Sequence, residues 1–364
     1  MENSTIISEI TPVFRPYLQC LYQDLELGLS KAKVELERIS GSFEGIDCQL
    51  RLVLPYCSKK LKWEVIFDPN TPWFPPDFRF DDENFMSNAN EDILVKELPS
   101  LCNWNASDPK ALCDVISELI KLYKTYQMQK LNDEDSRATF EYNALLGNIL
   151  TTEHDVEVWV GGNLIQFLIK LKVQTSKLPD LYNEGTEINP GIDTALLLVR
   201  YPNSTNAELI LSPFLSKVLG NITLPLMQQA GVLMDYVPMV TNLLNSKIQD
   251  VIRNDKLKRE LLAQLIVKYE GAVLEHDATS AALLLEINDF HWILQINIGI
   301  HFPDKPPVLT LRSVYHSTKG KPKSKVLPNC PYNNFEGYIE QQIEIFKNEC
   351  KGIIPSSQVL NIDN

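Results

Sequence analysis

The sequence predicts an α+β chain built of tandem domains, each an antiparallel meander sheet packed with helices, three in series. Three observations carry this. A helix, a run of alternating strands and a second helix open the 364-residue chain, and the same order of elements closes it. A P-x-x-P-P turn occurs in both copies, as Pro72, Pro75 and Pro76 in "TPWFPPDFRF" and as Pro303, Pro306 and Pro307 in "PDKPPVLTL". Between the two copies lies another meander followed by a helix. The length suits two or three domains at about 100–200 residues each.

Taking the elements in order, Thr11-Pro12 is a helix start, a side-chain cap followed by Pro at the first helical position. Val13/Phe14, Tyr17/Leu18, Leu21/Tyr22 and Leu25 then recur at helical spacing. Leu50, Leu52 and Leu54 alternate with smaller or polar neighbours, as do Trp63, Val65 and Phe67, so both runs read as half-buried strands. The proline-rich turn follows, then a strand through Phe78 and Phe80. Asp108-Pro109 opens a second helix with Leu112, Val115/Ile116, Leu119/Ile120 and Tyr123 on one side. The polar stretch "QKLNDEDSRATFEYNALLGN" reads as a helical extension rather than a floppy linker.

In the middle, "VEVWVGGNLIQFLIKLKV" reads as a hairpin turning at Gly161-Gly162, with "TALLLVRY" and "AELIL" as further strands. A helix after Pro238 carries Val240, Leu244, Ile248 and Val251/Ile252. In the last copy, "NDKLKRELLAQLIVKY" (254–269) is a helix and "AALLLEI" a strand. "WILQINIGIHF" alternates throughout, with Trp292, Leu294, Ile296, Ile298, Ile300 and Phe302 facing one way. After the second P-x-x-P-P turn come Leu309 and Leu311, a long loop at 312–334, and a closing helix in "NFEGYIEQQIEIFKNEC". The expected domains are 1–130, 131–252 and 253–364, and Trp63 and Trp292 are expected to be buried.

Composition excludes several function classes. Hydrophobic residues make up 44% and charged residues 22%, the balance of a globular protein able to build large cores. A net charge of −13 argues against a direct nucleic-acid surface. No signal peptide or membrane-spanning run is visible, so no membrane partner is expected. Seven scattered cysteines without a C-x-x-C pair read as reduced thiols of the cytosol or nucleus. The histidines at 154, 276, 291, 301 and 316 never fall two apart, and H-E-x-x-H is absent. Nucleotide-binding glycine motifs are missing too. No metal or cofactor is therefore expected.

Helix, meander, P-x-x-P-P turn, strand and helix together resemble the ubiquitin-conjugating fold. Active members of that family carry His-Pro-Asn after the turn, then a nucleophilic Cys, then a Trp. Here no His precedes His154, and Cys102 lies only two residues before Trp104, so Cys102 reads as a packed thiol. In the last copy His316 precedes Cys330 by fourteen residues, but Ser317-Thr318 stands where Pro-Asn would be. The lysines at 319, 321, 323 and 325 would favour a Cys330 thiolate, which keeps a divergent conjugating enzyme open as an alternative.

Two conjugating-like units without their chemistry resemble the ubiquitin-conjugating enzyme variants. Over the full length, "KWEVIFDPNTPWFPPDFRF", "SLCNWNASDP", "LMDYVPMVTNLLNSKIQDVI" and "PPVLTLRSVYHST" resemble the variant-type scaffold subunits of two deubiquitinase assemblies, one cytoplasmic and one nuclear. The resemblance implies a non-catalytic bridge. On one side would stand an Abraxas-family subunit with its zinc JAMM protease, which cuts lysine-sixty-three-linked ubiquitin chains. On the other would stand a von Willebrand A-like subunit, assigned to the C-terminal domain. Direct binding of ubiquitin is a further alternative. Candidate docking residues are Trp73 and Phe74 in the proline turn, which could otherwise cap the sheet end, and His316, Lys321, Lys323 and Tyr332 in the 312–334 loop. "KGKPKSK" reads as a nuclear-localisation or nucleic-acid patch or, in a chain of net charge −13, a solvated loop.

Overall fold

The computed structural model describes residues 2–39, 48–87, 89–147, 151–162, 164–179, 194–201, 207–287, 290–299, 302–318 and 321–327, with isolated positions 337, 341 and 344. Helix α1 (Glu2–Glu9) leads through a 3-10 turn at Pro12–Phe14 into α2 (Arg15–Asp24). The helix thus starts one turn later than the Thr11-Pro12 signal suggests. Thr11 makes no capping bond; its hydroxyl lies 3.4 Å from the Cys48 thiol. Phe14, Tyr17, Leu18 and Leu21 form the buried face of this stretch.

A short hairpin, β1 (Glu26–Leu27) and β2 (Ala32–Lys33), precedes the first main sheet. That sheet is an antiparallel meander of β3 (Glu35–Arg38), β4 (Gln49–Tyr56), β5 (Lys59–Ile66) and β6 (Asp77–Arg79). Its register places Leu50 opposite Val65, Leu52 opposite Trp63 and Leu54 opposite Leu61, all on the buried face. Two short helices follow, α3 (Glu91–Glu97) and α4 (Pro99–Cys102), and then α5 (Ala111–Glu134). Leu112, Val115, Ile116, Leu119 and Tyr123 on α5 close the core. Trp63 is completely buried there, edge-on to Phe80 at 5.0 Å and to Tyr123 at 5.8 Å.

Asp135 stops α5 and caps α6 (Ser136–Leu146), accepting the Arg137 and Ala138 N–H groups. The polar connection is therefore two helices meeting at an acidic cap. The second sheet is a meander of β7 (Val156–Gly161), β8 (Leu164–Leu171), β9 (Ala195–Tyr201) and β10 (Ala207–Leu211). Gly161 pairs with Leu164, so β7 runs one residue further than the expected Gly161-Gly162 turn, and Gly162 has φ +60°. Strands β8 and β9 are buried on both faces. Leu168, Leu196 and Leu198 join the core of the first sheet, whereas Phe167 stacks on Tyr142 of α6. Continuous burial erases the polar alternation of a half-exposed strand.

Glu157 on β7 joins the two sheets. It is buried, and its carboxylate accepts the Leu29 and Cys57 N–H groups, each at 2.7 Å. Beside it the Tyr56 hydroxyl donates to the Val158 carbonyl at 2.9 Å, and Gln127 of α5 accepts the Val160 N–H at 2.8 Å. Gly28 is required at this junction: its φ is +66°, and a Cβ there would stand 2.7 Å from Glu157 Oε1. Burial pushes the Glu157 carboxyl above its ordinary 4.5, against the two N–H bonds and the charge of Lys124, which pull it down.

Past α7 (Pro213–Leu219) and α8 (Met227–Ala230), a single helix α9 runs from Leu233 to Lys268. The sequence reading of two helices, the first beginning after Pro238, is corrected in two ways. Glu141 of α6 accepts the Leu233 N–H at 2.7 Å, and a carboxylate at that end sets the start before the proline. Pro238 lies inside the helix, and no breaker interrupts it between Ile252 and Asp255.

The chain divides into two compact units, residues 1–176 with 180–248, and residues 177–179 with 249–364. Val240, Leu244 and Ile248 on α9 are buried within the first; Leu261, Leu262 and Leu265 belong to the core of the second. The second unit is a five-stranded meander of β11 (Val273–His276), β12 (Ser280–Ile287), β13 (Phe290–Asn297), β14 (Val308–Thr318) and β15 (Lys321–Val326). Trp292, Leu294 and Ile296 form its buried face. Strand β13 ends at Asn297, earlier than the alternation suggested, although Ile298 and Phe302 remain buried; Ile300 lies outside the described residues. The expected long loop at 312–334 is largely strand: β14 runs to Thr318 and β15 pairs back along it. The expected closing helix lies almost wholly outside the described residues.

Two stability predictions follow from the cores. Trp63→Ala or Trp292→Ala removes a completely buried ring, with an expected cost of about 3–5 kcal/mol in urea unfolding. An unchanged midpoint for either would overturn its place in the core. Glu157→Ala orphans the buried Cys57 N–H, at ~1–3 kcal/mol, and the half-buried Leu29 N–H, at less, an expected loss of about 2–4 kcal/mol. Because its folded pKa is raised, Glu157 adds stability that is fully present below the ordinary 4.5 and lost as pH rises through the folded value. Glu157→Gln does not titrate. The stability of the wild type relative to this variant is therefore expected to be greatest in acid and to shrink towards neutrality, as read from unfolding midpoints across pH.

Candidate functional site

The proline turn between β5 and β6 is held from within. Asp68 accepts the Asn70 N–H at 2.9 Å and the Thr71 hydroxyl at 2.7 Å, and these bonds keep its carboxyl below the ordinary range. The Phe74 N–H donates to the Thr71 carbonyl at 3.0 Å. Four prolines supply stiff backbone that needs no partner strand. The end of the sheet is already filled by Phe67, stacked on Phe14 at 4.4 Å and on Tyr17 at 6.2 Å. Trp73 and Phe74 therefore do not cap it. Both stand 61% exposed with their rings 6.4 Å apart, an adjacent aromatic pair on a rigid turn.

The segment around Cys102, which the resemblance aligns with a catalytic slot, is fastened to α5 and α2. Ser100 donates its N–H and hydroxyl to Glu118 of α5 at 3.1 and 2.7 Å. Trp104 packs on Tyr17 at 5.3 Å, and the Tyr17 hydroxyl reaches the Ala106 carbonyl at 2.6 Å. Cys102 at the end of α4 is exposed, which corrects the expectation of a packed thiol: α4 is a single turn with no buried residue. Among the described residues no basic side chain bonds to it. Asn103 spends its side-chain amide on the Pro99 carbonyl at 3.0 Å. Among the described residues, Cys102 thus has no basic partner to favour its thiolate. Two other thiols, Cys20 and Cys113, meet at 3.6 Å, and burial pushes Cys113 up to about 12, which keeps it protonated.

In the second unit His316 lies on β14 and Lys321 and Lys323 lie on β15, so these candidates belong to paired strands rather than to a loop. Thr318 pairs with Lys321 and Ser317 with Pro322, after a register shift that follows Arg312. Strand β15 is the outer strand of its sheet, and a Lys-rich outer strand carrying a proline resists pairing with another chain. Tyr332 and Cys330 lie outside the described residues, so His316 and Cys330 are not brought together by anything described.

Sequence reasoning missed a groove of about 340 Å³ between α3 and α5, lined by Phe85, Met86, Ile93, Leu122, Thr125 and Tyr126 among others. The signal was available in "EDILVKE", whose Ile93 and Val95 have no matching apolar face on a helix this short. No group of three or more His, Cys, Asp or Glu suited to a metal ion occurs among the described residues.

A family model described as brain and reproductive organ-expressed protein (BRE) matches residues 8–317. Among curated relatives, a Branchiostoma floridae protein named "BRISC and BRCA1-A complex member 2" is 32% identical over 357 residues, covering 91% of each chain. A Danio rerio protein of the same name is 32% identical over 351 residues, covering 90% of this chain and 89% of its own. Match and similarity both run through the two units rather than along one motif, and the chain belongs to the BRE family.

Proposed function

We propose that the chain is a non-catalytic scaffold subunit of a deubiquitinase assembly of the BRISC or BRCA1-A type. The observation that carries this reading is similarity over about nine-tenths of the chain to two proteins named as members of those complexes. The first unit supports it chemically, since its catalytic slot lacks the His-Pro-Asn element and leaves Cys102 without an activating neighbour. A conjugating-like fold without its chemistry is useful for its surfaces.

In this reading the chain comprises three variant-type domains, at 1–130, 131–252 and 253–364. It bridges an Abraxas-family subunit and its zinc JAMM protease, which cleaves lysine-sixty-three-linked chains, to a von Willebrand A-like subunit held by the C-terminal domain. Trp73 and Phe74 offer one docking surface, and the region of His316, Lys321, Lys323 and Tyr332 another. The assembly acts in the cytoplasm and the nucleus, including in DNA repair.

Two experiments test this. The full chain is incubated with activating enzyme, ATP and ubiquitin and run on a non-reducing gel, with no adduct expected. A thiol-sensitive adduct lost in Cys330→Ser or Cys102→Ser would make the chain an enzyme. A tagged chain is then purified from cells beside one ending near Val251, which keeps the α9 residues Val240, Leu244 and Ile248 buried in the first unit. Mass spectrometry of the full chain is expected to find the protease pair and the von Willebrand A-like subunit, and the shorter chain is expected to lose only the latter. Full retention by the shorter chain would move that docking surface out of the C-terminal domain.

A further inference from the structure

Two thiols from different helices touch inside the first unit, and the docking surfaces give them no task. Cys20 on α2 and Cys113 on α5 lie 93 positions apart in sequence, yet their Sγ atoms stand 3.6 Å apart. Both are buried, Cys20 at 9% and Cys113 at 8% exposure. Their neighbours hold them in place. Tyr17, Leu18 and Leu21 flank Cys20 along α2, Leu112, Val115 and Ile116 flank Cys113 along α5, and all six belong to one apolar core. Side-chain torsions alone can close such a contact to a bond.

The hydrogen bonds run in one direction. Cys113 donates to Cys20 at 3.6 Å, and Cys20 donates to the Asp24 carboxylate at 3.4 Å. Asp24 is exposed. The relay leads from the inner thiol through the outer one to solvent, and it makes Cys20 the member of the pair within reach of a small solute. At rest both thiols are protonated: burial pushes each of them up, and Cys113 reaches about 12. Their oxidation is therefore slow and needs a sustained oxidant.

We propose that Cys20 and Cys113 form a reversible disulfide that staples α2 to α5 when the protein meets hydrogen peroxide. Cys20 passes its proton to Asp24, and its sulfur attacks one peroxide oxygen. The S–O bond forms, the O–O bond breaks, and the departing hydroxide takes the proton from Asp24 and leaves as water. Cys113 then attacks the sulfenic sulfur of Cys20. The S–S bond forms, the S–O bond breaks, and the second hydroxide leaves as water with the Cys113 proton. Two thiols lose two electrons, and one peroxide is reduced to two waters. A small dithiol reverses the bond by exchange. The first sheet lies between the two helices in sequence, so the bond closes a long loop and stabilises the first unit.

The test treats the full reduced chain with hydrogen peroxide, blocks the remaining thiols with N-ethylmaleimide and maps tryptic peptides by mass spectrometry. The peptide ending at Lys31 and the peptide over 111–121 each hold a single cysteine, Cys20 and Cys113, so a linked pair is unambiguous. The two are expected to appear joined, lighter than their sum by two hydrogens, and to separate in dithiothreitol. In Cys113→Ser, Cys20 is expected to stop at a sulfenic acid that dimedone traps; in Cys20→Ser, Cys113 is expected to remain a thiol. The oxidised wild type is expected to melt about 5 °C or more above Cys113→Ser treated alike, with little difference between them in dithiothreitol. Oxidation of the exposed Cys102 shows that peroxide has reached the protein. Absence of the linked pair once Cys102 is oxidised would overturn the proposal. So would a linked pair that forms only in urea, or one that lowers the melting temperature.

Discussion

A single buried carboxylate organises the first unit. Glu157 satisfies two backbone N–H groups, Leu29 in the turn of the β1–β2 hairpin and Cys57 in the β4–β5 turn of the first sheet, while lying on the edge strand of the second sheet. Cys57 and Ser58, at the tip of the β4–β5 hairpin, both have positive φ, so the chain turns sharply there. Without Glu157 the buried Cys57 N–H would lose its acceptor. Desolvating the carboxylate is costly and raises its pKa, while the Cys57 and Leu29 N–H bonds offset part of that cost. Gly28 is constrained by the same contact.

The segment that carries Cys102 is tied to α5, where Ser100 donates to Glu118, and the Asn103 side-chain amide serves the Pro99 carbonyl. The proline turn, by contrast, presents Trp73 and Phe74 to solvent because Phe67 already fills the end of the sheet. Rigid loops with exposed aromatic side chains lose little entropy on binding.

Charge has two different roles in the two units. The lysines of β15 stand on an outer strand with Pro322, where they discourage strand-to-strand association, so their regular spacing has a structural reason. In the first unit Glu91 and Asp92 stand in the first turn of α3, where they complement the helix N-terminus.

Much was legible in the sequence because local periodicity is physical. Alternation at Leu50, Leu52 and Leu54, at Trp63 and Val65, and at Trp292, Leu294 and Ile296 marks strands with one wet face, and both tryptophans are buried as that pattern requires. The repeated P-x-x-P-P turn set the α+β class and the family resemblance. What the sequence could not decide depends on neighbours distant along the chain. "VEVWV" places Glu157 on what reads as the solvent face of its strand; only the hairpin at Tyr56–Cys57, a hundred residues earlier, buries it. Pro238 reads as a helix start because the carboxylate of Glu141 that sets the true start lies on another helix. The 312–334 stretch reads as loop because Lys, Pro and Ser are poor strand formers, and pairing with β14 overrides that weak preference. Local pattern fixes which residues seek burial; only the assembled fold decides which polar groups go with them.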